Sequence, residues 1–225
     1  MPNIVAHVLV AAETCPTPTD DVLLGSALPD FLGIYRDHRG GSLRAADFRH
    51  LPATDMGIQI HKQTDSIYDS LGEIRNIKVE TRQLLEAEAG IARGPARACA
   101  DVGVDLLVDS MLLENKSHRD KFGVIERGIF DGSAELLKIG DFELEDLIHG
   151  FFKENVVTKY KHTERIATMM YFRFMARRRQ KLAFDEDAIP DVADILYAQK
   201  PAIRDVANIA LQKTVAGVKQ LCVSV

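Results

Sequence analysis

The chain has 225 residues, 46% of them hydrophobic, and a net charge of -5. That length suits one large domain or two small ones with a sizeable core, and the acidity argues against general nucleic-acid binding. No run approaches the ~18 apolar residues of a membrane span, the apolar start NIVAHVLVAA lacks a basic leader region, and three scattered cysteines, Cys15, Cys99 and Cys222, match no zinc spacing and suit a reducing cytoplasm.

Helical periodicity is widespread and strand alternation is almost absent. A short helix is expected at about 3–12, then a Pro- and Thr-rich loop, then a helix at about 20–32 that Asp30 could end after Pro29. The stretch RDHRGGSLRAADFRHLPATD reads as irregular, with Gly40-Gly41 as punctuation. Helices follow at about 54–71, 73–89 and 95–115, the last with Pro95 in its first turn. Residues 116–140 are loosely patterned, with a turn at Asp131-Gly132. Further helices are expected at about 143–154 and 156–181. Pro190 opens a final helix or helix pair over about 188–221, which Pro201 kinks or splits. The expectation is a single all-α domain over residues 1–225, of seven to nine helices, with 188–225 a helical tail packing on it.

Polar residues interrupt four otherwise apolar stretches. They are His7 in NIVAHVLVA, Asp30 in LLGSALPDFLG, His61 and Asp65 in MGIQIHKQTDSIYD, and Asp105 and Asp109 in VGVDLLVDSMLL. Asp and His bind hard or borderline divalent metals. A carboxylate in a buried helix costs several kcal/mol (roughly 3–5) unless something pairs with it. Residues four apart share a helix face, so Asp105 and Asp109 repel unless a cation or a proton intervenes. His61 and Asp65 repeat that spacing. One helical metal cage is the economical reading. The bland alternatives are a hydrogen-bonded core histidine at His7, a helix end at Asp30 and a surface ion pair at His61 and Asp65. His38, His50, His118, His149 and His162 lie in polar surroundings and read as surface residues.

A basic run, Arg173, Arg177, Arg178, Arg179 and Lys181, stands out in an acidic chain. It is either a solvated helix end or a docking patch for an acidic partner or a phosphate. No GxSxG elbow, P-loop, GxGxxG or HExxH is present. Metal-assisted hydrolysis is therefore the default chemistry.

Five segments in order resemble the acyl carrier protein phosphodiesterase family. AHVLVA at 6–11 resembles AHLxLA, and LLGSALPDFLG at 23–33 resembles LxGNLLADFVxG. GIQIHKQTDSIYD at 57–69 resembles GIxLHRRIDxFTD, VDLLVDSML at 104–112 resembles xDxxxDHFL, and MARRR from Met175 resembles a MSRR-type segment. The resemblance implies an all-helical, HD-domain-like fold and a divalent-metal site. Manganese is the usual activator, with Mg²⁺, Fe²⁺ or Zn²⁺ as alternatives. It also implies release of phosphopantetheine from a carrier-protein serine. The metal positions would be His7, Asp30, His61, Asp65, Asp105 and Asp109. Asp65 would take a proton from water, Lys62 would neutralise the phosphate, and Arg173, Arg177 and Arg178 would meet the acyl carrier protein. The chain departs from the pattern at Ser26, Lys62, Gln63 and Ser110, the last in place of a histidine, and it has no Trp. Two rival classes stand beside this one. One is another small-phosphoester hydrolase on the same scaffold, and the other is a non-catalytic helical protein that keeps the cage.

Overall fold

The computed structural model describes residues 4–39, 41–130, 141–154, 156–175 and 180–223. Among these residues every regular element is helical. Nine helices have eleven residues or more. They are α1 (Ile4–Thr14), α2 (Asp20–Arg39), α3 (Pro52–Tyr68), α4 (Gly72–Ala87), α5 (Arg93–Leu112), α6 (Lys116–Phe130), α7 (Phe142–Lys153), α9 (Thr163–Met175) and α10 (Ile189–Val223). A single turn, α8 (Val156–Lys159), joins α7 to α9. The all-α expectation holds.

Helix starts and stops follow local chemistry. Pro52 opens α3 at a position where no helical N–H is needed. The Asp141 carboxylate accepts the Leu144 N–H at 3.0 Å and caps α7. Past the end of α4, Gly90 takes φ 63°, a left-handed turn that glycine adopts without strain.

Two helices are apolar all round and lie at the centre. Every residue of α1 from Ile4 to Ala11 is buried, and α5 is buried almost continuously from Val102 to Leu112. Around them pack α2, α3, α4, α6 and α10. Helix α10 runs along α1, α3, α4, α5 and α9. It buries Val192, Leu196, Ile203, Ala207 and Val218, and so completes the core.

Three local expectations are corrected. Asp30 does not end α2, because Leu28, Phe31 and Leu32 are buried on both sides of Pro29 and hold the helix through it. Pro201 does not split α10, since Leu196 and Ile203 anchor both flanks. Residues 156–181 are not one helix, because a turn at Tyr160–His162 separates α8 from α9 and buries Tyr160. The loosely patterned region begins as α6, while its Asp131-Gly132 turn lies outside the described residues.

Candidate metal centre

The site begins where α2 crosses α3. A Cβ on Gly25 would lie 2.4 Å from the Thr54 carbonyl oxygen, and one on Gly57 would lie 2.2 Å from that of Val22. Only glycine allows this backbone contact. It brings His61 of α3 against the carbonyls of α2. Pro29 has no N–H to return to the Gly25 carbonyl, which loosens the helical ladder beside Ser26. The Ser26 carbonyl accepts the His61 Nδ1–H at 2.8 Å. That bond sets the ring's tautomer and turns Nε2 inward.

Helix α1 brings His7 into the same place. Its Nδ1 lies 3.0 Å from Asp30 Oδ2 and its Nε2 lies 2.9 Å from Asp65 Oδ1. Burial alone would push the His7 pKa down, but the two carboxylates overcome it and raise the pKa to about 9. Both ring N–H groups then donate. Burial likewise opposes ionisation of Asp30, yet its bond to His7 holds its pKa below the usual carboxylate value. Asp65 is held well below that value, against partial burial, by His61 and His7.

His61 Nε2 stands 3.2 Å from Asp65 Oδ2. With Nδ1–H given to Ser26, Nε2 is the nitrogen left to face Asp65. A proton or a cation on that nitrogen makes the contact with the carboxylate favourable. The ligand atoms of His7, Asp30 and His61 lie within 4.8 Å of one another, and all three residues are buried. This group could hold a metal ion. Two imidazoles with a carboxylate suit a borderline transition ion better than an all-oxygen cage would. A metal on His7 must displace a proton. The side chain of Asp65 is 49% exposed, so the cluster reaches solvent along this residue.

The other candidates stand elsewhere. Asp109 is fully buried and accepts the Val5 N–H at 3.1 Å and the Ala6 N–H at 3.0 Å. It therefore caps the turn of α1 that carries His7. Burial drives its pKa well above the usual value, against the pull of those two N–H groups. Asp105 leans toward α4 and pairs with Lys78 Nζ at 2.8 Å, and burial raises its pKa to about 6 despite that cation. The i, i+4 spacing leaves a residual turn of about 40° between the two carboxylates, enough to send them to different helices.

Lys62 is exposed, and no hydrogen bond or ion pair joins it to the cluster among the described residues. Ser110 faces a separate cavity with Phe122 and Phe152. Arg173 is no open docking residue, because its guanidinium pairs with Asp37 of α2 at 3.4 Å and its side chain is only 11% exposed. Arg177 and Arg178 lie outside the described residues.

Sequence reasoning missed the Ser26 carbonyl, the Gly25 and Gly57 contact, and Lys78. A backbone acceptor has no sequence signature, and Lys78 sits in an ordinary amphipathic helix. Comparison of the chain with protein-family models, with curated proteins and with solved structures gives no match.

Proposed function

We propose that the protein is a metal-dependent phosphodiester hydrolase resembling acyl carrier protein phosphodiesterases. His7, Asp30 and His61 would hold the ion, with Asp65 at the solvent edge and manganese the first choice of metal. The observation that carries this reading is the buried group of His7, Asp30 and His61, whose ligand atoms lie within 4.8 Å of one another, with Asp65 at its half-exposed rim. A divalent ion there supplies positive charge that polarises a phosphoryl oxygen and acidifies water.

The chain's own residues have separable tasks. Ser26 orients His61 through its carbonyl. Asp109 fixes the turn before His7. Asp65, half exposed at the rim, would accept a proton from water that enters along it once the bonds from His7 and His61 that hold its pKa low are released. Lys62, exposed one residue after His61, offers a cation to a phosphate arriving from solvent.

A second reading has its own support. His7 already satisfies Asp30 and Asp65 with its two ring N–H groups. A proton on His61 would complete the set, and the cluster would then clamp α1, α2 and α3 together with no ion. Metal analysis of protein purified and reloaded with Mn²⁺ separates the two readings. Release of phosphopantetheine from holo-acyl carrier protein, set beside hydrolysis of bis(p-nitrophenyl) phosphate, then tests the substrate. Stoichiometric metal with either activity, lost in His61→Ala, is expected. Metal-free protein of undiminished stability would leave the clamp.

A further inference from the structure

We propose that the cavity between α5, α6, α7 and α8 is a binding site for a small amphiphilic anion, an apolar or aromatic body carrying one carboxylate or phosphate group. It shares no residue with the His/Asp cluster and goes beyond the hydrolase reading. Its volume, about 350 Å³, falls within the range of small-ligand pockets.

The wall is aromatic. Phe122 and Phe152 stack with centroids 5.7 Å apart, and Phe151 meets Phe152 edge-on at 5.4 Å. Such faces take an apolar or ring-shaped body.

Two features of this wall have no explanation in packing. Gly123 lines the cavity from within α6. A Cβ there would meet only Arg127 Nη1, at 3.7 Å. Nothing in the fold requires glycine, and a helix interior disfavours it. Its effect is to leave open the space a side chain would fill. Backbone crowds the missing Cβ at Gly25 and Gly57, whereas Gly150 of α7 is as open as Gly123 but does not line this cavity. The second feature is Ser110. The buried hydroxyls of Ser26, Thr81 and Thr214 each donate to a carbonyl of their own helix. Ser110, like the buried Thr54 and Thr64, has no side-chain hydrogen bond among the described residues, and unlike them it lines this cavity. Its hydroxyl is free to bond a polar atom of an occupant.

Charge sets the sign of the ligand. Arg119 and Lys161 border the cavity, are exposed, and have no ion pair among the described residues. Glu114 at the same rim is drawn to Arg204 at 3.2 Å. Two cations therefore face Glu126, which leaves a net attraction for one negative group.

The test titrates the full-length protein with 4-phenylbutanoate and with phenyl phosphate, followed by amide NMR. The neutral 4-phenylbutan-1-ol and the cationic 4-phenylbutylamine serve as comparisons. Both anions should shift the amides of Ser110, Gly123 and Phe152. At least one should bind about tenfold more tightly than the amine, and preference between the two identifies a carboxylate or a phosphate occupant. Gly123→Leu should abolish binding without lowering the melting temperature. Arg119→Glu with Lys161→Glu, both at the surface, should weaken the anions about tenfold and leave the alcohol unchanged. Absence of shifts at those amides, equal binding of amine and anions, or charge-reversed protein that binds the anions undiminished would each overturn the proposal. These outcomes are independent of whether the cluster holds metal.

Discussion

His7 and His61 lie face to face, with ring centroids 3.8 Å apart and planes tilted by 36°, and they share one carboxylate, Asp65. Two positive rings at that distance repel, so the acids around them decide what the pair can carry. Asp30 takes the far nitrogen of His7 and Asp65 spans the near nitrogens of both rings. The cluster is balanced for a small total of positive charge, which protons or one metal ion can supply.

The metal-free protein should show this balance in its pH dependence. The His7 pKa is raised from 6.5 to about 9, so its contribution is fully present below about 6.5 and is lost as pH rises through 9. The rise corresponds to about 3 kcal/mol for a fully buried group. Asp30 and Asp65 are lowered, so their contribution is present above 3.8 and is lost only in stronger acid. Urea unfolding in chelator, wild type against His7→Gln, should give a stability difference that shrinks between pH 6.5 and 9. A difference independent of pH would remove the charged-imidazole account.

Asp109 acts on the site through α1. Asp109→Ala strips the acceptor from the Val5 and Ala6 N–H groups and should cost about 2 kcal/mol. Asp109→Asn keeps one acceptor and should cost about half of that. Metal affinity should fall less in either variant than in His61→Ala. Unchanged stability with collapsed metal uptake would instead make Asp109 a ligand.

Half-buried Lys78 and buried Asp105 form a pair away from the cluster. Lys78→Ala leaves the carboxylate uncompensated and should cost about 3–5 kcal/mol at pH 7.5. The Asp105 pKa is already raised to about 6, and loss of the cation raises it further. The penalty should therefore be smaller at pH 5, where the carboxyl is protonated. The double variant Lys78→Met with Asp105→Leu should be nearly neutral at both pH values. Metal uptake should stay at the wild-type level in all of these variants. A loss of uptake in the double variant would return Asp105 to the site.

The sequence carried the fold and singled out the three residues that the structure groups, His7, Asp30 and His61, for separable reasons. The 3.6-residue pattern is a property of each helix alone, so the α-helical class was legible. His61 and Asp65 on α3 were legible as a pair because both side chains leave one helix face. Asp105 and Asp109 carried the same signal, yet helices with different needs surround α5. The orphan N–H groups of α1 claimed Asp109, and Lys78 of α4 claimed Asp105. Spacing reports a shared face and not what waits opposite. Arg173 misled in the same way, since Asp37 of α2 comes close only in the folded chain.

The last prediction concerns the crossing on which the site rests. Gly57→Ala places a methyl carbon 2.2 Å from the Val22 carbonyl oxygen, and both partners there are backbone. No rotamer change relieves that clash, so α2 and α3 must separate. Overpacking of this kind typically costs about 1–3 kcal/mol, against a gain of about 1 kcal/mol from replacing glycine in a helix. The net should be destabilising, seen as a lower melting temperature. The consequence for the site is specific. Separation lengthens the 2.8 Å bond from His61 Nδ1–H to the Ser26 carbonyl and frees the ring to rotate. Metal affinity should fall with no ligand changed. Gly150→Ala is the control, because its Cβ would meet nothing within 4 Å in α7. It should raise stability by up to about 1 kcal/mol and leave metal binding intact. If Gly57→Ala melts like the wild type and binds metal equally well, the glycine contact does not position His61.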